Sequence, residues 1–172
     1  MEYEFTLRYQ LSEHNNDQDA LIERLYEWGC DDSLIGSGVP GRLALAFSRD
    51  AASAVQALLS ALQDVKRAIP DARLIEVVPD LVGLTDIAEI AGVSRQNIRK
   101  LMLNHSSTFP LAVHEGSPSV WHLAQVLEWL DGRGYELQPR LLETARAAQQ
   151  VNLTKAASKL GTVSPELLAL VL

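Results

Sequence analysis

The sequence predicts an α+β protein, and three observations support that fold class. A strand-like alternation opens the chain at residues 3–11, and helices with one apolar face are indicated at 17–29 and 51–69. Two short helices joined at a glycine are indicated at 84–101. At 172 residues, of which 47% are hydrophobic, the chain is long enough to bury a core without disulfide bonds.

The strand at residues 3–11 is the firmest element, because apolar and polar side chains alternate with the period of a strand that buries one face. Its apolar positions are Tyr3, Phe5, Leu7, Tyr9 and Leu11. The helix predicted at 17–29 has leucines at helical spacing, and Gly29 is placed to end it. A strand and a helix therefore begin the first domain.

Segments 33–35 and 43–47 flank a turn rich in Gly and Pro, which predicts a hairpin. Residues 51–69 predict a helix that stops at Pro70, because apolar residues form one stripe along it. The stripe consists of Val55, Leu58, Leu59, Leu62, Val65 and Ile69. Segment 74–78 is the last strand predicted in this part of the chain.

The resulting order, β-α-β-β-α-β, is that of a ferredoxin-like sandwich with two helices on one face of an antiparallel sheet. We assign residues 1–80 to this domain. Because the architecture carries enzymes, ligand sensors and dimerisation modules alike, it selects no function by itself. We expect the domain to dimerise, to bind a small-molecule effector or to engage a protein partner.

Residues 36–41 match the G-x-G-x-x-G pattern of dinucleotide-binding sites. In such sites the last glycine opens a helix whose N-terminus holds the pyrophosphate. Here Gly41 runs into the predicted strand, so we interpret the segment as a hairpin turn. No other cofactor motif is indicated.

The charge is concentrated in the first domain. Residues 1–80 contain 14 acidic and 7 basic side chains, which accounts for the net charge of −7 of the whole chain. Residues 81–133 and 134–172 are close to neutral. Because lysine and arginine provide most of the affinity for phosphate, any contact with nucleic acid is expected outside the first domain.

Residues 84–101 predict a helix-turn-helix. Thr85 is expected to cap the first helix through its hydroxyl, and Gly92 is expected to adopt a left-handed conformation at the turn. Ser94 is expected to cap the second helix, whose inward residues include Ile98. The spacing of Ala88, Gly92 and Ile98 lets the helices approach, bends the chain and fixes the crossing.

With the segments that follow, this motif resembles the winged helix-turn-helix of the MerR-like and phage-excisionase-like group over residues 82–130. Segments 109–113 and 116–121 resemble its wing, and 123–130 resembles its closing helix. The resemblance implies a DNA-binding domain, which we place at residues 81–133. Proteins of the MerR group carry their effector domain after the motif, whereas here the additional domain precedes it, so effector binding is not implied.

The second helix of such a motif lies in the major groove, and its outward residues contact DNA. Bases are the predicted targets of Arg95, Gln96 and Arg99, since arginine pairs with guanine and glutamine with adenine. The other predicted contacts, which include the phosphates, are made by Ser94, Asn97, Lys100 and Thr85. His114 and Ser117 are weaker candidates at the tip of the wing. The alternative is that these side chains form an ordinary solvated helix face.

Catalytic and metal sites are not indicated. There is no nucleophile elbow or P-loop, and His105, His114 and His122 lack the spacing of zinc ligands. Trp121 and Trp129 are interpreted as core residues. Cys30 lies beside two aspartates, which would raise the pKa of its thiol, so we expect a structural role and no enzyme activity.

Residues 134–172 predict a C-terminal helical extension. One amphipathic helix begins at Pro139 and ends by Gly161, and a short apolar helix follows Pro165. The apolar tail either packs on its own domain or forms an interface with another chain. A single cysteine and the absence of a leader or a long apolar run favour a cytoplasmic protein without a membrane partner.

Two functions are left open by the sequence. The first is a sequence-specific regulator of transcription that binds double-stranded DNA as a homodimer, because specific affinity commonly needs two half-sites. The second is an adaptor or antitoxin-like protein that binds a protein partner and uses DNA only for autoregulation. The acidic first domain would suit a basic protein partner.

Overall fold

A computed structural model describes residues 1–15 and 17–172 of the protein. Within them the chain is a mixed α+β fold with seven helices and an antiparallel four-stranded sheet. The first six elements are β1 (Glu2–Gln10), α1 (Gln18–Glu27), β2 (Ser33–Gly36), β3 (Arg42–Asp50), α2 (Ala54–Ala68) and β4 (Arg73–Val78). They are followed by β5 (Leu81–Val82), α3 (Leu84–Ala91), α4 (Arg95–Asn104), β6 (Trp121–His122), α5 (Leu123–Asp131), α6 (Pro139–Ala157) and α7 (Pro165–Val171).

The four-stranded sheet has the order β2-β3-β1-β4, and all neighbouring strands are antiparallel. The alternation predicted in the first strand is confirmed, since Tyr3, Phe5, Leu7 and Tyr9 are all buried. Phe5 lies opposite Phe47 on β3, and their rings stack with centroids 5.3 Å apart. The predicted hairpin is also confirmed by the pairing of β2 with β3. Gly41 leads into β3 and opens no helix.

The apolar stripe predicted on the second long helix is partly wrong. Leu58 and Val65 of α2 are buried, but Val55 is 44% exposed and Leu59 is 51% exposed. The buried face of α2 consists largely of alanines instead, namely Ala54, Ala57, Ala61 and Ala68. The larger Val55 and Leu59 lie on the part of α2 that is not covered in this way.

The central part of the chain forms a second apolar cluster around α3, α4 and α5. Ile87, Ile98, Leu123 and Leu127 are fully buried within it. Of the segments that resemble a wing, 109–113 contains no strand, and an isolated β-bridge joins His114 to Val120. β6 pairs instead with β5, the segment just before α3.

Helix α6 packs against both clusters. Ala147 and Ala148 belong to the first core, whereas Ala145 belongs to the second. The carboxylate of Glu143 accepts hydrogen bonds from the Tyr3 hydroxyl and from the backbone N–H of Ala54, both at 2.9 Å. The C-terminal extension therefore holds β1, α2 and the central cluster together.

Helix α7 differs from α6 because its apolar side chains lie in solvent. The chain turns after α6 at Gly161, where φ is +66°. None of the residues in α7 is buried. Across residues 1–15 and 17–172, each helix is too short or too polar to traverse a lipid bilayer.

Candidate nucleic-acid interface

Helix α3 begins two residues earlier than a cap at Thr85 would place it, and its N-cap is a different residue. The N-cap is Gly83, whose backbone N–H donates to the Asp86 carboxylate at 2.8 Å. The prediction that Thr85 caps the helix is therefore wrong. Asp86 competes successfully because a carboxylate three residues after the N-cap can reach back to the orphan N–H. Thr85 lies in the first turn of α3 with its side chain exposed.

The turn between α3 and α4 is confirmed as a glycine turn. Gly92 has φ +67° and ψ 29°, the left-handed conformation that costs other residues about 1–2 kcal/mol. The N–H of Val93 donates to the Ala88 carbonyl at 3.0 Å, and the N–H of Gly92 donates to the Glu89 carbonyl at 3.2 Å. This pair of bonds closes the end of α3 and redirects the chain within three residues.

The cap of α4 is also confirmed. The Ser94 hydroxyl accepts a hydrogen bond from the backbone N–H of Asn97 at 3.2 Å. Ile98 is fully buried against α3, and Ala88, which is 3% exposed, faces it from the other helix. One face of α4 is therefore fixed in the core, and the opposite face is directed away from it.

The outward surface of α3 and α4 carries the seven main candidates for DNA contact, and the weaker candidates His114 and Ser117 lie outside it. Each of these seven side chains is exposed: Thr85, Ser94, Arg95, Gln96, Asn97, Arg99 and Lys100. We call this set the α4 surface. Among the described residues, the side chains of Arg95, Arg99 and Lys100 form no salt bridge or hydrogen bond. The structure thus brings the predicted site residues together and leaves their positive charges without an internal partner.

The surroundings of the α4 surface are of mixed charge. α4 contains three basic residues and no acidic residue, whereas α3 carries Asp86 and Glu89. Asp86 is occupied by its capping bond to Gly83. The segment between His114 and Val120 adds the exposed Glu115. The positive charge is therefore confined to α4, and it is strongest along that helix.

The two tryptophans lie in or against the apolar cluster on which α3 and α4 pack. Trp121 is 4% exposed and donates to the Pro110 carbonyl at 3.1 Å. Phe109 packs edge-on against both Trp121 and Trp129. The guanidinium of Arg133 lies 4.0 Å from the centroid of the Trp129 ring. For Trp121 the interpretation as a core residue is confirmed, and Trp129 is packed against that core.

A polar junction missed by the sequence reasoning joins this module to the sheet. Asp80 is 3% exposed, and its carboxylate contacts His122 Nδ1 at 2.6 Å and accepts from the Asn152 amide at 2.8 Å. The same Asn152 amide bonds both the N–H and the carbonyl of Val77 at 2.8 Å, which closes the outer edge of β4. The two partners of each of these contacts are more than 40 positions apart in the sequence, so no local pattern connects them.

A second buried network surrounds Arg49 in the first domain. Its guanidinium donates to both oxygens of Asp32, at 2.8 and 2.9 Å, to Asp64 at 2.8 Å and to the Gly29 carbonyl at 2.6 Å. Burial alone would lower the pKa of Arg49, but its bonds to the two aspartates outweigh that effect and raise the pKa. The network is fully paired and has a structural role.

The described part of the chain contains neither a reactive thiol nor a cluster of metal-binding side chains. Burial, and after it the charge of Asp64, raises the pKa of Cys30 to about 12. The two adjacent aspartates, on which the sequence argument relied, contribute less than burial does. In residues 1–15 and 17–172, no three His, Cys, Asp or Glu side chains are grouped to hold a metal ion.

Comparison with known proteins adds no relative. No protein-family model, no curated protein and no solved structure matches the chain. The function must therefore be inferred from the geometry and chemistry of the α4 surface.

Proposed function

We propose that the protein is a regulator of transcription that binds specific sequences of double-stranded DNA by placing α4 in the major groove. One observation carries the proposal. A glycine turn holds α4 across α3, and the free face of α4 presents three unpaired basic side chains and two amides. This combination of a fixed helix and unpaired donors is what readout of base edges requires.

The chemistry of the side chains suggests how the roles divide. Arg95 and Arg99 lie one helical turn apart, and each can donate two bonds to O6 and N7 of a guanine. Gln96 can pair with N6 and N7 of an adenine. Lys100 suits a phosphate, because it is a point charge without a fixed fork of donors.

Phosphate contacts at the start of α4 follow from its cap. The Ser94 oxygen accepts from the Asn97 N–H, which leaves the hydroxyl proton free to donate outward. The first backbone N–H groups of the helix add positive potential at the same place. Thr85 in the first turn of α3 offers a second exposed hydroxyl.

Two features of the architecture support the proposal. The β-α-β-β-α-β order and the β2-β3-β1-β4 sheet are consistent with a ferredoxin-like domain preceding the DNA-binding module. Helices α3, α4 and α5 with the β5–β6 pair are consistent with a compact winged helix-turn-helix whose wing is short. The contacts to DNA would then come mainly from α4.

Selection of bound duplexes from a random DNA pool tests the proposal. We expect the parent to enrich a palindromic site and the Arg95→Ala/Arg99→Ala variant to lose it, at about 1–3 kcal/mol per lost base contact. Arg42→Ala/Arg73→Ala is the matched control, because it removes two exposed positive charges from the first domain. The control should enrich the same site as the parent.

The adaptor hypothesis is the second candidate, and the charge distribution favours it. The first 80 residues contain twice as many acidic as basic side chains, 14 against 7. Such a surface attracts basic proteins and repels DNA. If the parent enriches no DNA site at low salt, or if both double variants lose the site equally, the adaptor function replaces the regulator.

A further inference from the structure

Helix α7 presents an apolar surface that no segment within residues 1–15 and 17–172 buries. Leu167, Leu170 and Val171 have the i, i+3, i+4 spacing of one helix face and are 53%, 84% and 67% exposed. The seven-residue helix is about 10 Å long. Leucines concentrated on one short exposed helix are unfavourable in water, and such a patch commonly marks an interaction site.

An apolar groove of matching character lies between α2 and α6. It encloses about 450 Å³ and is lined by side chains from both helices. Its apolar walls are formed by Val55, Leu58, Leu59, Ala147 and Val151. Two of these side chains, Val55 and Leu59, are the partly exposed apolar residues of α2. We call it the α2–α6 groove.

The two surfaces are complementary in charge as well as in polarity. Lys155 stands at the rim of the α2–α6 groove, and no acidic residue lines it. α7 carries Glu166 in its first turn and no basic residue. A leucine stripe next to a carboxylate therefore fits an apolar groove next to an ammonium group.

We propose that α7 of one chain occupies the α2–α6 groove of a second copy, and that the exchange is reciprocal. In a single chain both surfaces stay open, whereas in a twofold-symmetric pair each chain provides one helix and one groove. Both contacts form at once, so the symmetric pair buries twice the area of a single contact and closes on itself. The proposal goes beyond DNA binding and does not depend on it.

Sedimentation velocity without DNA tests the exchange with three matched substitutions. Leu170→Glu removes the helix contact, Leu59→Glu removes the groove contact, and Leu34→Glu is the control. Leu34 is 80% exposed on β2, away from both surfaces. We expect the parent and the control to be dimers, and each of the other two variants to dissociate at least about 100-fold more easily, since two leucine contacts are lost per dimer.

Mixing the two broken variants distinguishes exchange from other dimers. The Leu170→Glu chain keeps an intact groove, and the Leu59→Glu chain keeps an intact α7. We therefore expect a heterodimer with one complete contact when they are combined, detected by native mass spectrometry with one chain isotope-labelled. Far-UV circular dichroism of each variant checks that it remains folded.

Three results would overturn the proposal. A parent that is monomeric at every concentration, with α7 protected from hydrogen exchange, would mean that the helix folds onto its own groove. A dimer that survives both substitutions but not Leu34→Glu would place the interface on the open face of the sheet. Folded variants that form no heterodimer on mixing would exclude reciprocal exchange.

Discussion

Basic side chains behave differently in the first domain and in the α4 surface. In the first domain, Arg49 is almost completely buried and bound by two carboxylates, and Arg8 pairs with Glu76 across the sheet. On α4, the charges of Arg95, Arg99 and Lys100 have no partner among the described residues. Arg49 therefore holds the structure, whereas the three basic side chains of α4 are available to an external ligand.

The difference between Arg49 and the basic residues of α4 indicates which of the two regions is free to bind a ligand. A buried charge must be paired, because an unpaired one costs several kcal/mol, so the position of Arg49 is explained by folding alone. An exposed helix face needs no particular residue for stability, and its composition is free to serve binding. Substitutions should therefore separate the two regions into one that affects stability and one that affects only recognition.

The largest effect is expected at Arg49. Arg49→Ala leaves Asp32 and Asp64 partly buried without their shared cation, with side-chain exposures of 31% and 19%. We expect a loss of about 3–5 kcal/mol in the free energy of unfolding, measured by urea denaturation followed by circular dichroism.

Arg8→Ala is the matched control for this prediction. Arg8 forms one exposed ion pair with Glu76 at 2.7 Å, and such pairs contribute about 0–1 kcal/mol. Equal losses at Arg8 and Arg49 would show that burial does not govern the importance of arginine in this domain.

An intermediate effect is expected at the polar junction where α6 closes the edge of the sheet. Asn152→Ala removes partners from the N–H and carbonyl of Val77 and from Asp80. Because these groups are then left unsatisfied, we expect a loss of about 1–3 kcal/mol in the free energy of unfolding. Hydrogen exchange at the Val77 amide should accelerate together with it.

Gln150→Ala on the same helix provides the control. Its side chain is exposed, and the described residues offer it no hydrogen bond, so the change should stay within about 0.5 kcal/mol. If Asn152→Ala is equally harmless, the outer edge of β4 needs no cover from α6, and the polar junction is dispensable.

Local patterns in the sequence were sufficient for most of the fold. The alternation at Tyr3, Phe5 and Leu7, the left-handed Gly92 and the Ser94 cap are set by residues within a few positions of each other, and all were predicted correctly. The exposed positions of α4 followed from the burial of Ile98. Such features depend on backbone geometry and on one apolar face.

Other features depended on contacts between distant segments and were missed. The bonds of Asn152 to Val77 join residues 75 positions apart, and the 51% exposure of Leu59 depends on which face of α2 the rest of the fold covers. The predicted Thr85 cap was wrong because Asp86 accepts the hydrogen bond at this helix end, from the N–H of Gly83. Either side chain could have satisfied the helix end, and the sequence does not show which one does. The α2–α6 groove had no local signal for the same reason.

The smallest effect on stability is expected where the effect on binding should be greatest. Arg95 occupies the first position of α4, where a positive charge opposes the helix dipole by about 0.3–1 kcal/mol. Neither Arg95 nor Arg99 gains a compensating bond within the part of the chain that the structure describes. Removing both should therefore leave the free energy of unfolding unchanged or raise it slightly, by up to about 0.5 kcal/mol, as measured by urea denaturation.

A decrease of more than about 1 kcal/mol in the free energy of unfolding exceeds the usual range for surface substitutions and would contradict this prediction. The two arginines would then stabilise the fold, as Arg49 does. If stability is kept and the enriched DNA site is lost, the unfavourable position of Arg95 is explained by a ligand outside the chain. The unfavourable interaction of a cation with the positive end of the helix is then offset only when a phosphate and a guanine bind to it. The proposed complex with DNA provides both groups.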